Sequence, residues 1–156
     1  MVETRKEKAV RLFKEGYNCS QAVFAAFADK YGMDEDMALR VASSFGGGIG
    51  RMRETCGAAC GMFMVAGMET GSTEGSNKEQ KAYNYQVVRE LADEFKEING
   101  ALLCRELLGL DSKNEEEKKI LTDTHVPEER TEKYYKKRPC VEMVSSAVDI
   151  LERRFK

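Results

Sequence analysis

Five cysteines are the residues of this 156-residue chain whose type and spacing could carry chemistry. They stand at Cys19, Cys56, Cys60, Cys104 and Cys140, separated by 37, 4, 44 and 36 positions. Cysteine thiolates serve as nucleophiles, redox groups and metal ligands, whereas a buried neutral cysteine is a small apolar side chain. The spacing contains no paired C-x-x-C knuckles and no ferredoxin run, so any shared site must be assembled by the tertiary fold.

Three of these cysteines are predicted to lie in the first turns of helices. Cys19 follows Asn18, which caps with Gln21 in a capping box, Cys56 follows a capping Thr55, and Cys140 follows Pro139 at the first helical position. Free backbone N–H groups and the helix dipole at such positions favour a thiolate. We therefore expect lowered thiol pKa values there, the alternative being that the cysteines are only core packing.

Cys56 and Cys60 stand four residues apart on the same predicted helix. This spacing predicts that both side chains point the same way. It suits two ligands of one metal ion better than a disulfide, because the two Cβ atoms of a disulfide must approach within about 4 Å.

A glycine-rich run, Phe45-Gly46-Gly47-Gly48-Ile49-Gly50, precedes Cys56. It lacks the Lys-Ser or Lys-Thr ending of a phosphate-binding P-loop and follows a predicted helix instead of a strand. Glycines permit close backbone approach, so the run is expected to pack near Cys56 and to shape access to it. Arg51 and Arg53 follow, either holding an anion or stabilising thiolates, or lying solvated beside a turn.

Helical periodicity runs along nearly the whole chain, without sustained period-two alternation, and predicts an all-α protein. We expect a compact, single-domain helical bundle over residues 1–156, with about six to eight helices. The expected buried stripes include Ala38, Val41, Ala42 and Phe45, then Tyr85, Val88, Ala92 and Phe95, and finally Val144, Ala147, Leu151 and Phe155. Residues 111–139 contain 16 charged residues and both prolines, which predicts an exposed, partly irregular connecting segment.

Composition and charge exclude several classes of function. With 25 basic and 27 acidic residues the net charge is −2, which does not favour nucleic-acid binding or membrane-surface binding. The longest nearly uncharged stretch, residues 55–68, is shorter than the roughly 20 residues needed to span a bilayer. The first eight residues alternate in charge without a hydrophobic signal core, so we expect a cytoplasmic protein without a membrane span.

Together these motifs resemble the redox-active bacterial family labelled C_GCAxxG_C_C. The segment Cys56-Gly57-Ala58-Ala59-Cys60-Gly61 matches the CGAxxG motif of that family, with the glycine-rich run before it. Cys19 within Tyr17-Asn18-Cys19-Ser20-Gln21-Ala22 resembles the early cysteine, and Cys104 and Cys140 resemble the two later ones. The resemblance covers about residues 17–151, and Cys60 occupies a variable position of the motif.

The resemblance implies a redox role, in electron transfer or thiol–disulfide exchange. It makes Cys19, Cys56, Cys104 and Cys140 the redox cysteines or, in the alternative role, metal ligands, with Cys60 as an auxiliary thiol. Gly46, Gly47, Gly48 and Gly50 would shape the site. The candidate cofactors are an iron–sulfur cluster or zinc, and the absence of C-x-x-C-H excludes covalent haem.

The same resemblance implies that the protein is an oxidoreductase or an electron-transfer component. It also implies an oxidoreductase or a transporter protein as the partner. Two other interpretations remain open: a noncatalytic helical scaffold with structural cysteines, and a metal carrier or sensor. The redox interpretation predicts that the four family cysteines, Cys19, Cys56, Cys104 and Cys140, cluster in space. The scaffold interpretation predicts sulfurs that are scattered through the core.

Overall fold

The chain folds into helices joined by short turns. A computed structural model describes residues 2–110, 114–122, 124–137 and 139–156. The helices are α1 (Arg5–Lys14), α2 (Cys19–Ala25), α3 (Glu35–Ala42), α4 (Gly57–Thr70), α5 (Lys78–Asn99), α6 (Cys104–Leu107), α7 (Glu115–Thr122), α8 (Glu132–Lys137) and α9 (Cys140–Arg154). Within these ranges no strand forms, which confirms the all-α prediction, and eight of the helices exceed four residues.

The core lies where α2, α4 and α9 meet. Helix α4 packs against α2, α5 and α9, and it is apolar on every side, as expected for a helix surrounded by others. Helix α1 covers α2 and α9, and α3 covers α2 from the other side. The largest fully buried side chains include Phe13, Phe27, Phe95, Met62 and Leu91.

Each of two predicted apolar stripes has one exposed member. Val41 is 50% exposed on α3, whose buried residues are Ala38 and Ala42. On α5, Tyr85 is 63% exposed, whereas Ala92 and Phe95 are buried as predicted and Val88 packs against the core. Val87 and Leu91 complete the buried stripe of α5. Tyr85 lies about 200° around the helix from Val87, since each residue advances by about 100°.

Helix caps follow the sequence closely, with two corrections. Asn18 caps α2 and forms the expected capping box with Gln21. The segment Ser76-Asn77-Lys78-Glu79 predicts a capping box that begins at Ser76. The cap of α5 is instead Asn77, whose side chain accepts a hydrogen bond from the Gln80 N–H. Thr55 does not cap α4, because its backbone pairs with Leu103 in an isolated antiparallel bridge.

The charged segment predicted over residues 111–139 is partly helical and mostly exposed. Its described parts hold α7 and α8, which alternate with extended turns. Residues 111–113, 123 and 138 of this prediction lie outside the described residues. The described remainder does more than connect two helices, because six of its residues between 125 and 139 line the same cavity as four of the cysteines.

Candidate functional site

The four family cysteines all stand at helix starts. Cys19, Cys104 and Cys140 are the first residues of α2, α6 and α9, and Cys56 is the N-cap of α4. Three of these positions were expected from the sequence, and the structure adds Cys104. Local sequence therefore places each sulfur beside unpaired backbone N–H groups of a helix end.

A short backbone pairing brings Cys56 and Cys104 together. The Cys56 N–H donates to the Leu102 carbonyl at 2.9 Å, and the Cys104 N–H donates to the Glu54 carbonyl at 2.6 Å. These two bonds flank the bridge between Thr55 and Leu103. Residues 48 positions apart in the chain are thereby held side by side by main-chain hydrogen bonds.

Glycines let α2 approach α4 closely and bring Cys19 to the start of α4. A Cβ added to Gly57 would lie 2.9 Å from the Phe45 carbonyl oxygen and 3.3 Å from the Cys19 Cβ. A Cβ added to Gly61 would lie 2.8 Å from the Ser20 carbonyl oxygen. Larger residues at either position would push the two helices apart, so both motif glycines have a packing role.

The sulfurs of these cysteines interact with one another. Cys19 shares a hydrogen bond with Cys140, and that contact, followed by burial, raises the pKa of Cys19 well above its ordinary value. Cys56 and Cys104 also contribute to the raised Cys19 pKa through their charge. We call Cys19, Cys56, Cys104 and Cys140 the sulfur cluster. All are free thiols in this structure.

The expected lowering of thiol pKa values at helix starts is wrong for two members of the cluster. Burial raises the pKa of Cys56 to about 12, although the N–H groups of Ala58 and Ala59 oppose the increase. No hydrogen bond from its side chain caps α4. The cost of removing a charged sulfur from water exceeds the stabilisation from the helix end, so both thiols are protonated at neutral pH.

The sulfur cluster opens into a cavity of about 360 Å³. One side, which we call the helical wall, consists of residues from the start of α2, the glycine-rich run, the start of α4 and α6. A second set of lining residues, which we call the charged wall, consists of His125, Pro127, Glu128, Arg130, Tyr134 and Pro139. All members of the sulfur cluster line this cavity, together with Gly46, Gly47, Gly48 and Gly50.

The glycine-rich run is tightly packed against the cluster. A Cβ added to Gly48 would lie 2.6 Å from the Cys104 Cβ and 2.7 Å from the Arg53 Cα. The segment is closed by main-chain hydrogen bonds, among them Gly50 N–H to the Ser44 carbonyl and Glu54 N–H to the Gly48 carbonyl, both at 2.9 Å. The run therefore shapes the cavity near Cys104 more directly than near Cys56.

Left-handed backbone continues beyond the glycines into side-chain-bearing residues. Ile49, Arg51 and Arg53 have φ angles of 66°, 62° and 60°. Residues with a Cβ reach this region at a cost of about 1–2 kcal/mol each. The consequence is that both arginines line the cavity.

Arg53 is the cation in contact with the sulfur cluster. It is 3% exposed, and its Nη1 lies 3.6 Å from the Cys104 sulfur. The interpretation of solvated arginines beside a turn therefore does not hold for Arg53, which is buried against the site.

Arg51 and Arg130 attach the charged wall to the rest of the molecule. Arg51 Nη1 donates to the carbonyls of Thr124 and Val126. Arg130 donates to the carbonyls of Phe13 and Tyr17 at 2.7 and 3.1 Å. Its guanidinium also stacks over the Phe13 ring at 4.2 Å.

Sequence reasoning missed Arg130 and the charged wall as parts of the site. Their signal was the aromatic pair Tyr134–Tyr135 within an otherwise charged segment, which packs edge to face at 5.4 Å. Tyr135 also packs against the buried Phe13. Large aromatic rings in a charged run indicate that one side of the run is covered.

Cys60 is separate from the sulfur cluster. It does not line the cavity, its sulfur lies 3.8 Å from the Thr55 carbonyl oxygen, and burial alone raises its pKa to about 11. The expectation that Cys56 and Cys60 point the same way assumed that both are helical. Cys56 instead has φ −51° and ψ 133°, so helical spacing does not relate the two side chains.

No three His, Cys, Asp or Glu side chains among the described residues are arranged to hold a metal ion.

Residues 17–154 match the profile of a family described as "Putative redox-active protein (C_GCAxxG_C_C)". The chain belongs to the C_GCAxxG_C_C family. No curated protein and no solved structure shows significant similarity to it. In this member of the C_GCAxxG_C_C family, Cys19, Cys56, Cys104 and Cys140 line the cavity, and Cys60 does not. No described helix is long and apolar enough to cross a membrane.

Proposed function

We propose that the sulfur cluster is a dithiol–disulfide redox centre whose reacting pair is Cys140 and Cys19. The observation that carries this proposal is the hydrogen bond between these two thiols at the cavity wall. Because that bond raises the pKa of Cys19, we assign Cys19 as the thiol that keeps its proton until the second step. Cys140 is the attacking thiolate, and Cys19 is the resolving thiol.

The redox step exchanges one disulfide for another. The Cys140 thiolate attacks one sulfur of an incoming disulfide, forms a mixed disulfide and releases the first thiol. Cys19 then loses its proton, attacks the Cys140 sulfur and releases the second thiol. Two protein thiols are oxidised, one S–S bond forms in the protein, and the substrate disulfide is reduced to two thiols.

Cys56 and Cys104 belong to the same centre in this proposal. Their charges act on Cys19, and Cys104 also acts on Cys56, so ionisation of one sulfur disfavours ionisation of the next. Arg53 lies at the Cys104 end of the cluster, with Nη1 3.6 Å from that sulfur.

Redox titration followed by disulfide mapping tests this proposal. The chain is purified anaerobically, shown by zinc, iron and sulfide analysis to be free of metal, and equilibrated in a series of thiol–disulfide buffers. After alkylation, peptide mass spectrometry identifies each disulfide. We expect Cys19–Cys140 to form first, with Cys60 alkylated throughout.

Matched variants make the result specific. Cys140→Ser is expected to abolish the first oxidation step, whereas Cys60→Ala should leave its midpoint unchanged, because Cys60 lies outside the cavity. Thermal unfolding of each variant checks that it folds. If Cys19 and Cys140 both remain reduced at every potential, the proposal is overturned in favour of the scaffold interpretation. If the purified chain holds stoichiometric metal, the metal-ligand role replaces it.

A further inference from the structure

We propose that the cavity selects a small disulfide that carries carboxylate groups as the substrate of the redox centre. This inference rests on the proposed function. The charged side chains that line the cavity are Arg51, Arg53, Arg130 and Glu128, so the described wall carries an excess of positive charge in a chain of net charge −2. Such a cavity concentrates anions against the overall field of the protein.

The burial of Arg53 supports a role in the site. Arginine is seldom buried to 3% exposure, because removing a guanidinium from water is costly unless it acts on a group of opposite charge. Arg53 directs Nη1 to the sulfur of Cys104 inside the cavity. A carboxylate that enters beside Cys104 would meet the same guanidinium.

The backbone of the glycine-rich run gives an independent reason. Arg51 and Arg53 occupy the left-handed region, with φ angles of 62° and 60°, in a segment where Gly47, Gly48 and Gly50 do the same. Strain of this kind at residues with side chains persists where it positions them for function. Here the strained residues with side chains are Ile49 and the two arginines, and both arginines line the cavity.

The size and the apolar part of the cavity fit a small molecule. A volume of about 360 Å³ lies at the low end of the range for ligand sites, roughly 300–1,000 Å³. Phe13, Leu107, Leu108 and Met143 also line it and offer apolar contact to the methylene and sulfur atoms of a ligand. Carboxylates at the ends of such a molecule would lie toward the arginines.

The chemistry follows the exchange given above. Two protein thiols and one R–S–S–R molecule become one protein disulfide and two R–SH molecules. The first leaving group is an anionic thiolate, which the arginines also stabilise. Selectivity is thus expected in the rate of the first attack.

A charge series of small disulfides tests the inference. Dithiodipropionate, hydroxyethyl disulfide and cystamine have arms of similar length and carry negative, neutral and positive charge. Each rate with the reduced protein is divided by the rate of the same disulfide with mercaptoethanol, which removes differences in intrinsic reactivity. We expect dithiodipropionate to react about tenfold faster than hydroxyethyl disulfide on this scale, and cystamine to react slowest.

Variants assign the preference to the cavity. Arg51→Gln is expected to reduce the ratio of the anionic to the neutral rate, and Arg51→Lys to retain most of it. Arg89→Gln is the matched control, because Arg89 is exposed on α5 outside the cavity and its replacement changes net charge equally. The ratio is insensitive to a general loss of thiol reactivity. Added salt should also lower the ratio for the unmodified chain, which needs no variant to fold.

The outcomes separate the inference from the proposed function. Equal normalised rates for the three disulfides, with Cys19–Cys140 formed, would overturn the anionic selectivity and leave the redox centre intact. If none of them reacts, the proposed function fails. In that case, binding of suberate to the protein is measured by calorimetry, with octanediol as the neutral control. Suberate is an inert dicarboxylate with the same chain length as dithiodipropionate. Binding of suberate alone would support it, and equal or absent binding would overturn it.

Discussion

The two walls of the cavity are built by different kinds of interaction. The helical wall is held by main-chain hydrogen bonds and close glycine packing, as between Glu54 and Gly48 and between α2 and Gly61. The charged wall is attached through arginine side chains that donate to carbonyl oxygens, those of Arg51 and Arg130. Its residues His125, Pro127 and Glu128 are exposed.

The different interactions in the two walls correspond to two different requirements of a thiol site. Sulfurs that react with one another need fixed positions, which backbone pairing and buried packing supply. Access to those sulfurs can depend on contacts that break without unfolding the core, because such contacts lie at the surface. The helical wall meets the first requirement and the charged wall meets the second.

Substitution of Gly48 should give the largest effect, because it breaks the helical wall. In Gly48→Ala the new Cβ would stand 2.6 Å from the Cys104 Cβ and 2.7 Å from main-chain atoms, at a φ of 74°. We expect a loss of about 3 kcal/mol in the free energy of unfolding, measured by urea denaturation, from overpacking and left-handed strain together.

Gly50→Ala is the control for that variant. Gly50 also has positive φ, at 56°, but nothing lies within 4 Å of an added Cβ. Gly50→Ala should lower the free energy of unfolding only through left-handed backbone strain, by about 1 kcal/mol. Equal losses in the two variants would show that Gly48 does not pack against Cys104 as described.

Alkaline pH should weaken the helical wall through its buried thiols. The pKa of Cys56 is about 12 in the folded chain and near 8.5 when unfolded, so the folded state retains the proton longer. Stability from this group is fully present below pH 8.5 and declines as pH rises toward the folded pKa. The slope is at most about 1.4 kcal/mol per pH unit for this thiol.

Urea denaturation of the reduced chain from pH 8 to pH 10.5 measures this slope. The same series on Cys56→Ala isolates the contribution of that thiol, because the other titrating groups remain. A smaller decline in the variant is expected. If the two slopes are identical, the Cys56 thiol is not held neutral by burial.

Removal of Arg130 should give the smallest effect on global stability and should loosen the charged wall. Arg130→Gln removes the guanidinium that stacks over Phe13 and donates to the carbonyl groups of Phe13 and Tyr17. We expect less than about 1 kcal/mol change in the free energy of unfolding, because the wall opens locally. Alkylation of Cys140 by iodoacetamide should become about tenfold faster, a change of about 1.4 kcal/mol.

Arg89→Gln, with the same change in net charge, should leave this alkylation rate unaltered. Cys60 supplies a second comparison within each protein, since it lies outside the cavity. Faster alkylation of both Cys140 and Cys60 would indicate general destabilisation, and then the charged wall would not be a separate, locally opening part of the site.

Much of the fold could be predicted because its signals are local. The Asn18–Gln21 capping box and the helix start at Cys140 are properties of a few adjacent residues, and each occurs in the structure. Stripe positions were less secure. Tyr85 and Val41 are apolar residues at helical spacing, yet the neighbouring helices cover a different side of α5 and α3.

The candidate site divides in the same way. The identity of the four family cysteines and their positions at helix starts were readable from the chain, because capping residues and the CGAxxG motif lie beside them. The separation of Cys60 from the sulfur cluster could not be predicted from the chain. A four-residue spacing relates the side chains of Cys56 and Cys60 only if both residues are helical, and the spacing itself does not show that. The non-helical φ and ψ of Cys56 depend on the pairing with residues near Leu102.

The sequence by itself determined the helical class, the helix starts and the residues able to do thiol chemistry. Only the tertiary structure decided which sulfurs meet, which way their pKa values move and which wall covers them. The reason is range: caps and glycine turns act over a few residues, whereas desolvation of Cys56 and the bonds from Arg130 to Phe13 and Tyr17 depend on groups far away in the chain.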